Sequence, residues 1–257
     1  MFVALVLAVS CATALAGAPQ PAAAARWLPG PDTSWQIQFS GEIDLTVKAK
    51  VFDLDMFETM ARQVRRLHGM GKHAVCYINA GAWEDWRPDA DRYPSAVLGK
   101  PLDGWPGERW LDIRRLDVLA PILGDRLDRC AAKGFDGVEF DNVEGYTDPS
   151  GFDLRKADQL TFNKWLADAA HARGLSVGLK NALGIAEQLE PKFDFAIVEQ
   201  CFHYRECGLT APFTDAGKSV LVVEYELSRD QFCHRAESLG VTAIRKHLSL
   251  DAWRRPC

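Results

Sequence analysis

Two carboxylates end short apolar runs of the chain, in positions suited to acid and base chemistry. Asp141 closes the run GVEFD, and Glu199 closes the run FAIVE. Two carboxylates that face one cleft can cleave a glycosidic bond, since one protonates the leaving oxygen while the other attacks the anomeric carbon or activates water. These residue types and positions predict that Asp141 and Glu199 are a catalytic pair.

Polar side chains also lie at the ends of almost all the remaining apolar runs. We predict that they face the same mouth and bind substrate: Gln38, Asp44, Asp53, Tyr77, Asn79, Glu139, Asn142, Lys180, Asn181, Glu224 and Tyr225. Glu139 shares a strand face with Asp141, because side chains alternate along a strand, and an inward carboxylate is costly unless paired. Glu139 is therefore also a candidate structural partner of Lys180 or Lys246, or the second catalytic carboxylate.

Structural alternatives stay open for two other carboxylates. Glu199 can form an ion pair with Lys180 or Arg205, and Glu224 suits a structural pair as well as substrate contact. The histidines are weaker candidates, because most of them fall on or beside predicted helices. The sequence contains no GxSxG motif, so nothing points to a nucleophilic serine.

Composition and charge exclude several classes of partner and cofactor. The chain has 257 residues and a formal net charge of −5, which argues against a basic nucleic-acid binder. Neither GxGxxG nor a P-loop follows the first predicted strand, and no Cys or His spacing is typical of zinc, so we expect no cofactor and no metal. A hard cation such as calcium, bound by Asp53, Asp141 and Glu199, is the remaining metal alternative.

The hydrophobic pattern supplies eight strands to carry the polar side chains. We predict strands over 34–39, 49–53, 73–78, 137–141, 175–180, 195–199, 219–225 and 241–246. Helices are predicted over 55–70, 116–133, 156–172, near 186 and over 229–239. Strands separated by helices indicate parallel βαβ units, and eight of them predict an α/β fold with a single (β/α)8 TIM-like barrel over 34–257. An open doubly wound sheet is the alternative.

The start of the chain differs from the rest. Residues 1–16 are apolar and uncharged and end in Ala-x-Ala, which predicts a signal peptide and a secreted or extracellular protein. Cys11 after Ser10 also allows a lipoprotein leader with a lipid anchor at the cell surface. The stretch is too short for a transmembrane helix, so we expect no membrane span. Residues 17–33 are predicted to be a disordered lead-in.

The cysteines and aromatic residues agree with an exported, sugar-binding protein. Six cysteines lie outside the leader; those in the last quarter are the better disulfide candidates, whereas Cys76 is interpreted as a small core residue of a buried strand. The four candidates are Cys201, Cys207, Cys233 and Cys257. A segment after the third strand contains rings suited to stacking on sugars: Trp83, Trp86, Tyr93, Trp105 and Trp110.

Several segments together resemble glycoside hydrolase family 114, the endo-α-1,4-polygalactosaminidases. They are WQIQFSGEID (35–44), VFDLD (51–55), CYINAGAWEDWRPD (76–89), WLDIR (110–114), GFDGVEFDNVEGY (134–146), GLKNA (178–182), FAIVEQCFHY to ECG (195–208) and VVEY (222–225). The resemblance implies a TIM-like barrel that hydrolyses partly de-acetylated, α-1,4-linked galactosamine polymers. It also implies catalytic carboxylates at Asp141 and Glu199.

The implied substrate is cationic, and an acidic mouth would attract it. By analogy with α-galactosidase-like barrels, Asp141 is expected to be the nucleophile and Glu199 the general acid and base. We expect a monomer. Two alternatives to the predicted function stay open: a polysaccharide-binding barrel without turnover, and a barrel hydrolase that acts on another α-linked glycan.

Overall fold

A computed structural model describes residues 26–257 of the chain. The predicted leader, 1–16, and residues 17–25 of the predicted lead-in lie outside the described residues. The strands are β1 (Trp35–Gln38), β2 (Val51–Asp55), β3 (His73–Asn79), β4 (Ala82–Glu84), β5 (Leu98–Pro101), β6 (Glu108–Leu111), β7 (Gly137–Asp141), β8 (Ser176–Lys180), β9 (Phe195–Glu199), β10 (Val220–Glu224), β11 (Thr242–Arg245) and β12 (Arg255–Pro256). The helices are α1 (Ala61–Gly69), α2 (Leu116–Lys133), α3 (Lys156–His171), α4 (Ala186–Leu189), α5 (Ala211–Asp215) and α6 (Arg229–Ser238).

The main sheet confirms the predicted TIM-like barrel. Its order is β1-β2-β3-β7-β8-β9-β10-β11-β12, and the first eight strands pair in parallel while β12 is antiparallel. The curled sheet brings β1 back to β11, where the Trp35 ring nitrogen donates to the carbonyl of Thr242 at 3.2 Å. Nearby, Lys246 Nζ donates to Gln36 Oε1 at 3.1 Å.

Alternation along the strands divides the core into two layers. The barrel interior holds apolar side chains such as Ile37, Val75 and Ile197, and the opposite strand faces pack against the helices. On β9 the inward positions change from Phe195 and Ile197 to Glu199 at the carboxyl end. Apolar residues therefore fill the floor of the barrel, and charged residues reach its mouth.

The observed elements differ from the predicted ones mainly near β2 and β3. Helix α1 begins at Ala61 rather than at 55, because the Asp55 carboxylate accepts hydrogen bonds from the backbone of Phe57 and Glu58 and holds a turn there. The segment after β3 forms an antiparallel sheet in the order β4-β6-β5, which was not predicted. Within the described residues, no helix is both long and apolar enough to cross a membrane.

Three disulfides connect the described part of the chain. Two of them join the predicted candidates, as Cys201–Cys207 and Cys233–Cys257. The interpretation of Cys76 as a free core residue is wrong, because Cys76 is bonded to Cys130 and ties β3 to α2. The two cysteines are 54 residues apart in sequence and meet because α2 packs on the outer face of the sheet.

Candidate active site

A pocket of about 300 Å³ opens at the carboxyl ends of the parallel strands. Six of the predicted site residues line it: Tyr77, Asp141, Asn142, Lys180, Asn181 and Glu199. Tyr225 lines an adjoining pocket that shares Glu199. The mouth of the barrel thus collects residues from β3, β7, β8, β9 and β10, as strand-end reasoning predicts.

Lys180 lies at the centre of this mouth, surrounded by three carboxylates. Its Nζ is 3.2 Å from Glu139 Oε1, 3.2 Å from Asp141 Oδ1 and 3.3 Å from Glu199 Oε2. Burial alone would lower the pKa of Lys180, but Asp141, Glu139 and Glu199 outweigh burial and raise that pKa well above its usual range. Lys180 is therefore a permanent cation that holds the carboxylates in place.

The shared contact with Lys180 limits the separation of the two predicted catalytic carboxylates. Contacts of 3.2 and 3.3 Å to one nitrogen keep Asp141 Oδ1 and Glu199 Oε2 within about 6.5 Å of each other. If the contacts follow the tetrahedral directions of an ammonium group, the separation is about 5 Å. A separation of about 5 Å is typical of retaining glycosidases. The side chains of Asp141 and Glu199 are 21% and 27% exposed, so both can reach a ligand.

A tyrosine holds each of these two carboxylates. Tyr77 Oη donates to Asp141 Oδ2 at 2.8 Å, and Tyr225 Oη donates to Glu199 Oε1. Burial and the adjacent carboxylate raise the pKa of Tyr77 and of Tyr225 well above the usual range, so both phenols stay neutral donors. The backbone N–H of Asn142 adds a third hydrogen bond to Asp141, at 2.9 Å.

The backbone turns sharply just after each strand that carries a central charge. Asn142, Asn181 and Gln200 follow β7, β8 and β9, and their φ angles are 59°, 45° and 54°. Such left-handed conformations are uncommon for residues other than glycine and occur often at functional sites. Here all three residues line the central pocket or the adjoining one, next to Asp141, Lys180 and Glu199. Gly81 fits beside this turn because a Cβ there would lie 1.7 Å from the carbonyl oxygen of Asn142.

Asp53 and Glu139 form a buried carboxyl pair beneath Lys180, rather than part of the substrate surface. Both residues are 0% exposed. Burial and the proximity of Glu139 raise the pKa of Asp53 well above its usual range. Burial also raises the pKa of Glu139, although Lys180 and the hydrogen bond with Asp53 oppose the increase. Because Lys180 Nζ contacts Glu139, we assign the proton of the pair to Asp53, and Glu139 has the structural role with Lys180 that its sequence position allows.

We predict that Asp53→Asn makes stability less dependent on pH. A carboxyl with a raised pKa in the folded state contributes stability that is full below its unfolded pKa and is lost as the pH rises through its folded pKa. The new amide would still donate to Glu139 but would release no proton on unfolding. Above about pH 4, the free energy of unfolding of the wild type should therefore fall relative to the variant, by up to about 1.4 kcal/mol per pH unit.

Denaturant titrations from pH 4 to pH 8 measure this difference. Asp44→Asn is the control, because hydrogen bonds from Thr46 lower the pKa of Asp44, so that Asp44 titrates below this pH range and the difference from the wild type should stay constant. Stability from that exposed group is present above its unfolded pKa and is lost as the pH falls. A constant difference between the wild type and Asp53→Asn would show that Asp53 holds no proton in the folded chain.

Two predicted binding residues near β1 lie outside the pocket. Gln38 is on the outward strand face, and its amide donates to the carbonyls of Ser40 and Glu42, which fixes the loop after β1. Asp44 accepts hydrogen bonds from the backbone and hydroxyl of Thr46 and lies in a separate surface depression. Both residues stabilise their own loop.

Two more predicted binding residues are buried next to the pocket and do not line it. Asn79 is buried; its amide nitrogen donates to Glu108 Oε2 at 3.0 Å, and its oxygen accepts from the backbone of Ala82. Glu224 is 0% exposed and accepts from the backbone N–H of Phe202 at 2.8 Å. Because Glu224 is adjacent to Tyr225 in sequence, the two side chains face opposite sides of the sheet, and only Tyr225 reaches the mouth.

The aromatic segment after β3 contributes one ring to the pocket. Trp105 is 52% exposed and lines both the central pocket and its neighbour. Tyr93 and Trp110 are buried, and the Trp83 ring nitrogen donates to a backbone carbonyl. Trp86 is exposed but does not line the pocket. Trp105 is therefore the candidate for stacking on a sugar.

Two carboxylates of the pocket were not predicted. Glu108 lies on β6, in the added antiparallel sheet, and Glu144 follows β7 by three residues. Glu144 is within the segment GFDGVEFDNVEGY that carries the family resemblance, which is the only signal that could have identified it. Glu108 had no signal in its local sequence.

The calcium alternative does not match the arrangement at the mouth. The ammonium group of Lys180 occupies the position between Asp141 and Glu199 that a cation shared by them would take. Within residues 26–257, no group of three or more His, Cys, Asp or Glu side chains is arranged to hold a metal ion. Lys180 supplies the positive charge that the carboxylates need.

A barrel whose mouth holds two carboxylates on either side of one lysine ammonium group, within about 6.5 Å of each other, suits the cleavage of glycosidic bonds. A family model described as Glycoside-hydrolase family GH114 matches residues 16–257. The chain belongs to glycoside-hydrolase family GH114 and is a glycoside hydrolase.

Solved structures agree with this family and fold. The chain is similar to Aspergillus fumigatus Ega3, solved in complex with galactosamine, with 38% identity, a TM-score of 0.86, and coverage of 91% of this chain and 98% of that one. The glycoside hydrolase domain of PelA from Pseudomonas aeruginosa shares the fold at 14% identity and a TM-score of 0.72, with 86% and 97% coverage. An α-galactosidase from Thermus thermophilus shares it at 16% identity and a TM-score of 0.57, with 85% and 59% coverage. No curated protein sequence matched the chain.

Proposed function

We propose that this enzyme hydrolyses α-1,4-galactosaminidic bonds in partly de-acetylated, galactosamine-containing polysaccharide. The observation that carries the proposal is the pair Asp141 and Glu199, held by Lys180 at the mouth of a family GH114 barrel. The galactosamine in the similar Ega3 structure supports the choice of sugar. The acidic lining of the pocket suits a cationic polymer.

In the proposed reaction, Asp141 attacks the anomeric carbon while Glu199 gives its proton to the leaving glycosidic oxygen. The bond between sugar and leaving group breaks as the bond to the Asp141 carboxylate forms, which gives a glycosyl-enzyme. Glu199 then takes a proton from water, whose oxygen attacks the anomeric carbon and releases Asp141. Hydrogen bonds from Tyr77 and the backbone of Asn142 stabilise Asp141 as an anion before attack and after release.

The shape of the cleft supports cleavage within the polymer. The central pocket is flanked by a pocket of about 610 Å³ that Trp105 and Tyr225 line, and by one of about 410 Å³ that Tyr146 and Tyr204 line. Both flanking pockets include Glu199. A polymer can therefore pass the catalytic pair in both directions, as an endo-acting enzyme requires.

Export is part of the proposal. The apolar residues 1–16 suit a signal peptide, and three disulfides suit an oxidising compartment. The N-terminal residue of the protein recovered from the culture medium tests cleavage after Ala16. A lipid on Cys11 would indicate the anchored form instead.

Release of reducing ends from purified, partly de-acetylated α-1,4-linked galactosamine polymer tests the activity. We expect the wild type to release oligosaccharides of several lengths and Asp141→Asn to release none. A fully N-acetylated polymer and a neutral α-linked galactan serve as comparison substrates. Binding without release would support the polysaccharide-binding alternative, and faster cleavage of the neutral glycan would show that the substrate is different.

A further inference from the structure

The pocket contains two carboxylates that the reaction mechanism does not use. Glu108 is only 7% exposed, and its hydrogen-bond partner is the neutral amide of Asn79. Glu144 Oε2 accepts from the backbone N–H of Ala182 at 2.8 Å. Within the described part of the chain, neither carboxylate forms an ion pair with a lysine, arginine or histidine. They differ in this from the carboxylates around Lys180.

Burial raises the pKa of both side chains above the usual range of a glutamate. Burial, followed by the charges of Glu84 and Asp141, raises the pKa of Glu108 to about 7. Burial raises the pKa of Glu144 to about 7, and Asp141 adds to that increase. A buried carboxylate without a counter-ion is costly, and a cation brought by a ligand would remove most of that cost.

We propose that Glu108 and Glu144 each bind a free amino group of the galactosamine chain, and that these two ammonium contacts make the enzyme prefer de-acetylated substrate. The inference rests on the proposed function and names two residues that set its specificity. A protonated amine can donate charge-assisted hydrogen bonds to these carboxylates. An N-acetyl group is neutral and larger, so it would leave both carboxylates without a counter-charge.

The position of Glu144 extends this recognition beyond one sugar. Glu144 lines the central pocket and also the flanking pocket of about 410 Å³, where Glu206 is a further carboxylate. Glu108 lines the central pocket together with Trp105. The two carboxylates are thus placed to contact amino groups on neighbouring sugar units of one chain.

The test compares Glu108→Gln and Glu144→Gln with the wild type on two oligosaccharides of equal length. One is fully de-acetylated α-1,4-galactosamine, and the other is its fully N-acetylated form. Glutamine keeps the hydrogen bond from Asn79 or from Ala182 and removes only the charge. We expect kcat/KM on the de-acetylated oligosaccharide to fall about ten- to a hundredfold, mainly through KM, as for loss of a charge-assisted hydrogen bond. On the N-acetylated form, kcat/KM should change by less than about threefold.

Glu237→Gln is the matched control for net charge. Glu237 is exposed near the end of α6 and lines a cavity at the opposite end of the barrel. We expect its ratio of kcat/KM on the two oligosaccharides to equal that of the wild type. A similar loss in Glu237→Gln would assign the effect to general attraction by the acidic surface and overturn the two ammonium contacts.

Binding measurements separate this inference from the proposed function. Calorimetry of both oligosaccharides with Asp141→Asn, alone and combined with Glu108→Gln or Glu144→Gln, reports recognition without turnover. Unchanged discrimination in both combined variants, with circular dichroism equal to that of Asp141→Asn, overturns the two ammonium contacts and leaves the hydrolase intact. If the wild type cleaves neither oligosaccharide, the proposed function fails, and the binding data still decide whether the two carboxylates select free amines.

Discussion

Glu199→Gln is expected to reduce hydrolysis of the polymer by about a thousandfold or more, and Asp141→Asn by at least as much. Glutamine cannot protonate the leaving oxygen, and asparagine cannot form the glycosyl-enzyme. Both substitutions preserve the shape of side chains that are 21% to 27% exposed, so the fold should survive. Reducing-end release and thermal unfolding, measured on the same preparations, check the two parts of the prediction.

The stereochemistry of azide products tests the separate roles. In Glu199→Ala, azide should trap the glycosyl-enzyme and give an α-glycosyl azide, because attack on the enzyme intermediate restores the original configuration. In Asp141→Gly, azide should take the place of the carboxylate and give the β-glycosyl azide. If the two variants give the opposite products, the roles of the two residues are exchanged. Near-normal turnover in Asp141→Asn or Glu199→Gln would show that the substituted residue is not catalytic.

The position of this pair was predictable because barrel geometry depends on a simple sequence pattern. Apolar runs such as FAIV and GVEF fix the strands, and residues at their carboxyl ends must meet at one mouth. The helices could be read equally well where a glycine ends them, as Gly134 ends α2. These features are local, so a single sequence contains them.

The depth of a side chain in the barrel, and the face of the sheet on which it lies, were harder to predict than the positions of the strands. Asp53 lies two residues before the end of β2, which is far enough from the mouth to be fully buried. Glu224 and Tyr225 were both predicted to reach the mouth, although strand alternation allows only one of them to do so. The pairing of Glu139 with Asp53 depends on contacts across β3, and no spacing along the chain reveals it.

The remaining misses come from the segment between β3 and α2. Its many tryptophans and prolines gave no period of two over more than a few residues, so the sheet β4-β6-β5 was not predicted. That sheet carries Glu108 and the loop with Trp105 to the pocket. Residues that enter a site from an added sheet escape a search restricted to the ends of the barrel strands.

Lys180→Met should cost both stability and activity, because one ammonium group serves both. Glu139 and Asp53 are 0% exposed, and without Lys180 the charge of this buried pair has no cation in contact with it. Breaking a buried ion pair in this way costs about 3–5 kcal/mol. The Asp141 carboxylate would also lose its cation, and Glu199 would lose the ammonium group that positions it. We expect lower free energy of unfolding in denaturant titrations and at least about a hundredfold less turnover.

The double variant Lys180→Met with Glu139→Gln separates these two functions of Lys180. Glutamine removes the uncompensated charge, so most of the lost free energy of unfolding should return. Activity should not return, since Asp141 and Glu199 still lack their shared cation. Lys192→Met is the control, because its ion pair with Asp168 is exposed and is worth less than about 1 kcal/mol. Recovery of turnover in the double variant would mean that Lys180 supports the fold alone, and that the catalytic carboxylates need no cation between them.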